Sequence, residues 1–329
     1  MMSTKRIIIT GAAGFIGSNL INLLIKKHSN LEIIAIDNLK NSSLVDLKSI
    51  LKENKFKTKK NFFSNGKMKI FFIKKDFGLT KKLRHINFKK IDCLVHLASQ
   101  TGVIQSMKSP EKDAKENIFK SIKFFEFLKN KGLKKIIYSS SMGVLGDNLF
   151  SSNKSKHNPL NFYAASKASM ENYLNVYCKT FGIKSYILRF SNIYGKYSRF
   201  KTSVVASFIK SILKKGKIVI NGSGKQYRDF LFVEDLVEVI DRLIFIKNNK
   251  NYYKNPIHVA TGKSITINEL VKLFKDECRL KFKIIKKNKN KGDIQKSFVK
   301  INEIKKMKKN FTNIKKGIKI TLNWYKSSF

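Results

Sequence analysis

A short apolar run, Arg6 to Thr10, leads directly into Gly11-Ala-Ala-Gly14-Phe15-Ile16-Gly17 and then into a helix-like stretch. This junction constrains the fold more than any other feature, because a glycine pattern is informative where a strand turns into a helix. Gly11 allows the tight turn, Gly14 lets the backbone approach a pyrophosphate, and Gly17 permits close helix-to-strand packing. Phosphates would sit at the helix N-terminus, beside Phe15 and Ile16. Asp37 ends the next expected strand, 20 residues after Gly17 (37 − 17), with Asn38 beside it. An acidic residue there takes the adenosine ribose hydroxyls and repels a 2′-phosphate, so NAD is expected over NADP, although Lys40 lies close. The plain alternative is a strand-to-helix turn that happens to hold three glycines, and the position of Asp37 weighs against it.

Apolar runs of four to eight residues alternate with longer helical patterns as far as residue 190, the rhythm of a parallel sheet with helices on both faces. Strands are expected at 5–10, 32–37, 69–73, 91–97, 134–139 and 184–191, and helices near 15–28, 42–53, 79–86, 111–131 and 161–181. The Lys-rich stretch 55–67 breaks the periodicity and reads as a loop or ragged element. Beyond 191 the pattern changes. Helices near 201–214, 234–247 and 266–278, strands near 217–220, 228–233 and 256–260, and two further helices after 300 describe a smaller mixed unit, with 286–291 as an exposed loop. The expected fold is α/β: a doubly wound parallel Rossmann sheet with a second, smaller substrate-binding lobe. Residues 1–190, with about 226–260 contributing, form the first part; 191–225 and 261–329 form the second.

The chain of 329 residues is 42% hydrophobic, with 26 Phe and 11 Tyr, which is ample for buried cores. No apolar run approaches the roughly 18 residues of a membrane span, and no signal-peptide core precedes the first strand, so no membrane partner and a cytoplasmic location are expected. The three cysteines are far apart and suggest neither disulfides nor a metal site. A net charge of +46 raises the question of nucleic acid. Only seven of the 68 basic residues are Arg, and Lys is spread along the chain, whereas nucleic-acid readers concentrate Arg for bidentate contacts. Solvated lysine faces, attractive to an anionic substrate, are the expected reading.

Tyr163-Ala-Ala-Ser-Lys167 opens a long helical pattern, and a spacing of four puts both side chains on one face. A phenol beside an ammonium group is drawn down from its ordinary pKa near 10 toward a range where it can accept a proton. The preceding strand ends Ser139-Ser140-Ser141, placing hydroxyls at the carboxyl edge of the sheet, where doubly wound folds bind ligands. Chemistry alone does not choose among the three serines. A Ser-Tyr-Lys trio suits removal of an alcohol proton coupled to hydride transfer to NAD.

With its G-x-x-G-x-x-G spacing, the N-terminal half resembles the extended short-chain dehydrogenase/reductase family, and the second half resembles its sugar-nucleotide epimerase branch. The resemblance implies a catalytic Ser141 with Tyr163 and Lys167, and places Ser140 near the nicotinamide. It implies an adenine contact for Asp76, with Phe77, in Lys74-Lys-Asp76-Phe77-Gly78. It also implies a strand end beneath the cofactor at His96-Leu97-Ala98. Read without the family, Asp76 is equally a turn residue and His96 equally a core histidine. The resemblance gives Asn192, in Leu188-Arg-Phe-Ser-Asn192-Ile-Tyr-Gly195, and Arg228, in Gly222-Ser-Gly-Lys-Gln-Tyr-Arg228, contacts to a nucleotide diphosphate. His258-Val-Ala-Thr-Gly262 and Lys291-Gly292-Asp293 match later landmarks. Ser297 matches a position that limits substrate size, and a small residue there implies room for an N-acetyl group.

Met142 and Gly143 stand where the branch's dehydratases carry an acidic pair, which implies 4-epimerisation of a UDP-sugar. Leu145, Lys120 and Lys196 depart from the family pattern, and a second phosphate-binding Arg before Gly292 has only Lys289 or Lys291 as replacement. The broad apolar helix at 111–131 implies a homodimer. The competing readings are a reductase or dehydratase of the same fold, and a non-catalytic nucleotide sensor associated with nucleic acid.

Overall fold

The computed structural model describes residues 4–88, 90–147, 151–246, 255–278, 281–288, 295 and 298–328. Its strands in chain order are β1 (Lys5–Thr10), β2 (Leu31–Asp37), β3 (Lys57–Lys59), β4 (Phe62–Ser64), β5 (Lys69–Lys74), β6 (Cys93–His96) and β7 (Lys135–Ser141). These are followed by β8 (Lys184–Phe190), β9 (Asn192–Tyr194), β10 (Lys217–Asn221), β11 (Tyr227–Phe232), β12 (Ile257–Val259), β13 (Ser264–Thr266) and β14 (Lys283–Lys287). The α-helices are α1 (Phe15–Lys27), α2 (Leu44–Glu53), α3 (Val103–Lys108), α4 (Pro110–Ala114), α5 (Lys120–Lys129), α6 (Phe162–Phe181), α7 (Val204–Lys215), α8 (Val233–Phe245), α9 (Ile267–Cys278), α10 (Asn302–Met307) and α11 (Ile314–Ser328).

The main sheet runs β12-β8-β7-β6-β1-β2-β5-β4-β3, parallel from β12 to β5, with β4 and β3 antiparallel at one edge. Ile7, Ile8 and Ile9 of β1 are all fully buried, as a central strand covered on both faces requires. On one face, Leu20 and Leu24 of α1 pack with Leu236 and Ile240 of α8. On the other, Phe124 and Phe125 of α5 pack with Met170 and Leu174 of α6. A third core joins Phe208 of α7, Ile218 of β10, Phe274 of α9 and Tyr325 of α11. The order reverses at β1, flanked by β2 on one side and β6 on the other, so a crevice opens at the carboxyl ends of these strands.

Four segments differ from expectation. Residues 55–67 form the β3–β4 hairpin rather than a loop; every residue of β3 is exposed, so no buried alternation marks it. The stretch 79–86 makes only a 3-10 turn at Thr80–Leu83, because Lys82 and Ile86 bond three residues back, to Leu79 and Leu83. The helix at 111–131 is interrupted by a π-turn at Lys115–Phe119, where the amide of Lys120 reaches Lys115. Lys286 and Lys287, expected in a loop, belong to β14, which pairs with β10.

Candidate active site

The glycine turn is built on close approach. Gly11 has φ +68°, and a Cβ there would lie 2.9 Å from the Ala98 amide nitrogen; a Cβ on Gly17 would lie 2.2 Å from the Gly11 carbonyl oxygen. Gly14 caps α1 in an extended conformation with no side-chain cap bond, which leaves the first amides of the helix available to an anion. Asp37, buried at the end of β2, accepts from Ala13 N (3.0 Å), Leu39 N (2.8 Å) and Ser42 Oγ (2.8 Å). The carboxylate is thereby locked against the glycine turn. Asn38 donates to Asp76 Oδ2 (3.2 Å), which also receives Lys120 Nζ (2.7 Å), while Gly78 N donates to Asp76 Oδ1 (2.9 Å). These residues form one cluster on the cofactor side of the sheet, with Phe77 buried behind it against His96.

His96 is a satisfied core residue. Nδ1 lies 2.9 Å from Thr10 Oγ1 and Nε2 3.1 Å from Ser121 Oγ. Burial, helped by the charge of Lys167, pushes its pKa down to about 3, so the ring is neutral.

Asn161 caps α6, its side chain accepting from Ala164 N at 2.9 Å, and this sets Tyr163 in the first turn and Lys167 one turn further on. The three serines, indistinguishable in sequence, part company here. Ser139 Oγ donates to the His96 carbonyl (2.9 Å), Ser140 Oγ to Glu171 Oε1 (2.5 Å), and Ser141 Oγ bonds the Tyr163 hydroxyl while accepting from Gly143 N (3.1 Å). Lys167 is buried, with Nζ 2.7 Å from the Ser139 carbonyl and 5.9 Å from the centre of the Tyr163 ring.

The electrostatics correct the expectation of a lowered phenol. Burial pushes Tyr163 up to about 12 against its bond with Ser141, and the charge of Asp113 adds to the rise. Burial likewise pushes Lys167 down to about 7, opposed by Asp113 and Glu171. At the phenol desolvation outweighs the lowering bond from Ser141.

Two clusters behind the trio were missed in the sequence. Asp113, on α4 and buried, accepts from Gln100 Nε2 (2.9 Å) and Asn117 Nδ2 (3.2 Å). Asn117 also reaches Ser166 Oγ (3.1 Å), which donates to the Tyr163 carbonyl (2.9 Å). The π-turn is what swings Asn117 inward. Glu171, four residues beyond Lys167, receives Arg189 Nε (3.0 Å) and Nη2 (2.6 Å), and lies 3.0 Å from His157 Nε2. Burial pushes Glu171 up, but the bonds from His157, Arg189 and Ser140 outweigh it and hold the carboxyl below its usual range. The i, i+4 spacing from Lys167 was the sequence signal for Glu171; nothing local announced Arg189 or His157.

A cavity of about 560 Å³ is lined by Ser141, Tyr163 and Lys167 and also by Asn192, Lys201 and Arg228. It also touches Phe15, Ile16, Leu97 and Ser140; Ala98 does not line it but packs against Gly11. Asn192 Nδ2 donates to the Asp229 carbonyl (3.2 Å). Asp229, next to Arg228 in the chain, accepts from Thr261 and Gly262 instead of pairing with it. Ser297, Lys289, Lys291, Gly292 and Asp293 lie outside the described residues.

Comparison with known proteins fits this geometry. The model of the NAD dependent epimerase/dehydratase family matches residues 7–254. The chain belongs to that family. It is an enzyme, with NAD as cofactor, and the locked Asp37, the uncapped α1 and the glycine cradle fit that group. A UDP-N-acetylglucosamine 4-epimerase from Methanobrevibacter ruminantium, solved with UDP-N-acetylmuramic acid, is 29% identical, with a TM-score of 0.84 and full coverage of both chains. A UDP-glucose 4-epimerase from Thermotoga maritima, solved with UDP-glucose, is 27% identical with a TM-score of 0.83, covering 98% of this chain and 99% of its own. A dTDP-D-glucose 4,6-dehydratase of Dictyostelium discoideum is 35% identical over 73% of this chain and 55% of its own length. Among the described residues, no helix is long and apolar enough to cross a membrane.

Proposed function

We propose that the chain is a UDP-sugar 4-epimerase, taking a UDP-N-acetylhexosamine or a UDP-hexose in the lobe formed by 191–225 and 261–329. The convergence of Ser141, Tyr163 and Lys167 on a cavity that Asn192 and Arg228 also line supports this most. Bound NAD supplies the hydride acceptor and donor. Gly11, Gly14, Gly17 and Asp37 would hold it, with Asp76 at the adenine and Lys167 on the ribose. Tyr163 takes the proton from the sugar 4-hydroxyl and returns it after the keto-sugar turns over, and Ser141 steadies the charge on that oxygen. Arg228 and Asn192 hold the diphosphate while the sugar rotates. Met142 and Gly143 offer no acid or base for water loss.

The dehydratase reading is favoured only by relatives such as the Dictyostelium protein. Incubating the purified chain with UDP-N-acetylglucosamine and UDP-glucose without added cofactor separates the two. C4 epimers are expected, and a 4-keto-6-deoxy sugar would give the assignment to the dehydratases.

Asp113 acts as a positioning residue for proton transfer. Its charge raises the proton affinity of both Tyr163 and Lys167, so Asp113→Asn lowers both. The pH–rate profile should move as a whole to lower pH with its height nearly kept. A loss of height with unmoved limbs would mean that Asp113 serves packing alone.

The chain is further proposed to be a homodimer. Phe119 (68% exposed), Tyr173 (54%) and Val176 (65%) leave apolar surface open on the π-turn and α6. Light scattering is expected to give a dimer mass, and Val176→Glu a monomer; a monomeric parent chain would refute the interface.

A further inference from the structure

We infer that Lys201 supplies a second positive charge, beside that of Arg228, for the substrate's diphosphate. This rests on the sugar-nucleotide reading of the cavity and adds a residue that neither the glycine motif nor the trio predicts.

The case begins with charge pairing around the cavity. Three cations line it, and two are engaged within the protein: Lys167 on the Ser139 carbonyl, and Arg228, whose Nη1 donates to the Tyr227 carbonyl at 2.7 Å. Among the described residues, the ammonium of Lys201 meets no carboxylate and no hydrogen-bond acceptor. It is half-buried at a cavity whose lining mixes apolar Phe190, Phe208 and Ile220 with polar Asn221 and Gln226, and it is withdrawn from bulk water there. A cation held in such a place is costly until an anion joins it. Burial accordingly lowers the proton affinity of Lys201, with no opposing carboxylate.

The backbone around it is fixed. Lys210 Nζ donates to the carbonyls of Arg199 (3.1 Å) and Lys201 (2.6 Å), pinning this segment at the start of α7. Ser203 caps α7 without a side-chain bond, and Thr202, Ser203 and Val204 line the same cavity, so free helix amides lie beside the lysine. Lys201 and the amides that open α7, with Arg228 on β11, bring positive charge to the cavity from two separate segments. A ligand with charge spread over two linked groups uses both; a single carboxylate uses one. A nucleoside diphosphate has that form. Lys201 therefore fills, from a different part of the chain, the role the sequence offered only to Lys289 or Lys291.

The test is calorimetric binding of UDP, UMP, uridine and dTDP to the full chain, to Lys201→Met and to Lys201→Arg. Lys201→Met should weaken UDP by about 10- to 100-fold, the range of a charge-assisted hydrogen bond, and UMP less. Uridine should be unaffected, and Lys201→Arg should recover most of the UDP affinity. UDP binding unchanged in Lys201→Met overturns the proposal. So does an equal loss for uridine, which would mark a packing defect. Lysine-dependent binding of dTDP without UDP binding would keep the assignment and remove the UDP-sugar reading. No binding of any nucleoside diphosphate overturns both.

Discussion

Replacing Tyr163 with Phe is expected to lower turnover by between about 10²- and 10⁴-fold, the usual contribution of a positioned acid or base, while NAD stays bound and the fold stays intact. The phenol's hydroxyl contacts only Ser141 among the trio, and the ring keeps its place in the first turn of α6, so the substitution removes the proton carrier and little else. Because burial holds the phenol near 12 in the unliganded protein, proton removal depends on what the occupied site adds to the local field. Turnover in the variant should therefore be low at every pH. Cofactor content released by heat and read by absorbance should equal that of the parent chain. Retained turnover would assign the proton to another group, and loss of NAD would make Tyr163 a binding residue.

Arg189→Met should destabilise the fold by about 3–5 kcal/mol, the cost of removing one partner from a buried ion pair. Arg189 and Glu171 are 2% and 1% exposed, and the guanidinium meets the carboxylate through both Nε and Nη2. Without Arg189, the Glu171 carboxylate keeps only Ser140 and His157. The double variant Glu171→Gln with Arg189→Met should cost less than Arg189→Met alone, because no bare charge remains inside. The sign with pH follows from Glu171's lowered folded-state pKa. In the parent chain its stabilisation is present above the ordinary carboxylate value and is lost as pH falls through the folded value, so the stability gap between parent and Arg189→Met should be widest near neutral pH and narrow as Glu171 is protonated. Urea titrations across that range measure both effects; equal stability of parent and variant would show the pair to be dispensable.

Much of this was legible in the sequence because it depends on neighbours along the chain. Gly11, Gly14 and Gly17 sit within one turn, Asp37 ends the adjacent strand, and Tyr163 and Lys167 share a helix face. The remainder depends on contacts between distant segments. Arg189 on β8 meets Glu171 on α6 because β7 and β8 are neighbours in the sheet, and Asp113 on α4 comes close to the trio because Asn117 and Ser166 link its helix to α6. Lys201 is one lysine among many in the sequence, and only the fold brings it to the cavity that Tyr163 and Arg228 also line. The β3–β4 hairpin escaped notice because an exposed edge imposes no buried pattern.

The central claim is oxidation and return of hydride at one sugar carbon, and the most direct measurement follows UDP-glucose and UDP-N-acetylglucosamine deuterated at C4, incubated with the purified chain and no added cofactor. The C4 epimer of at least one should appear with deuterium still at C4. Absence of any C4 epimer, or an epimer that has lost its label to solvent, would contradict it.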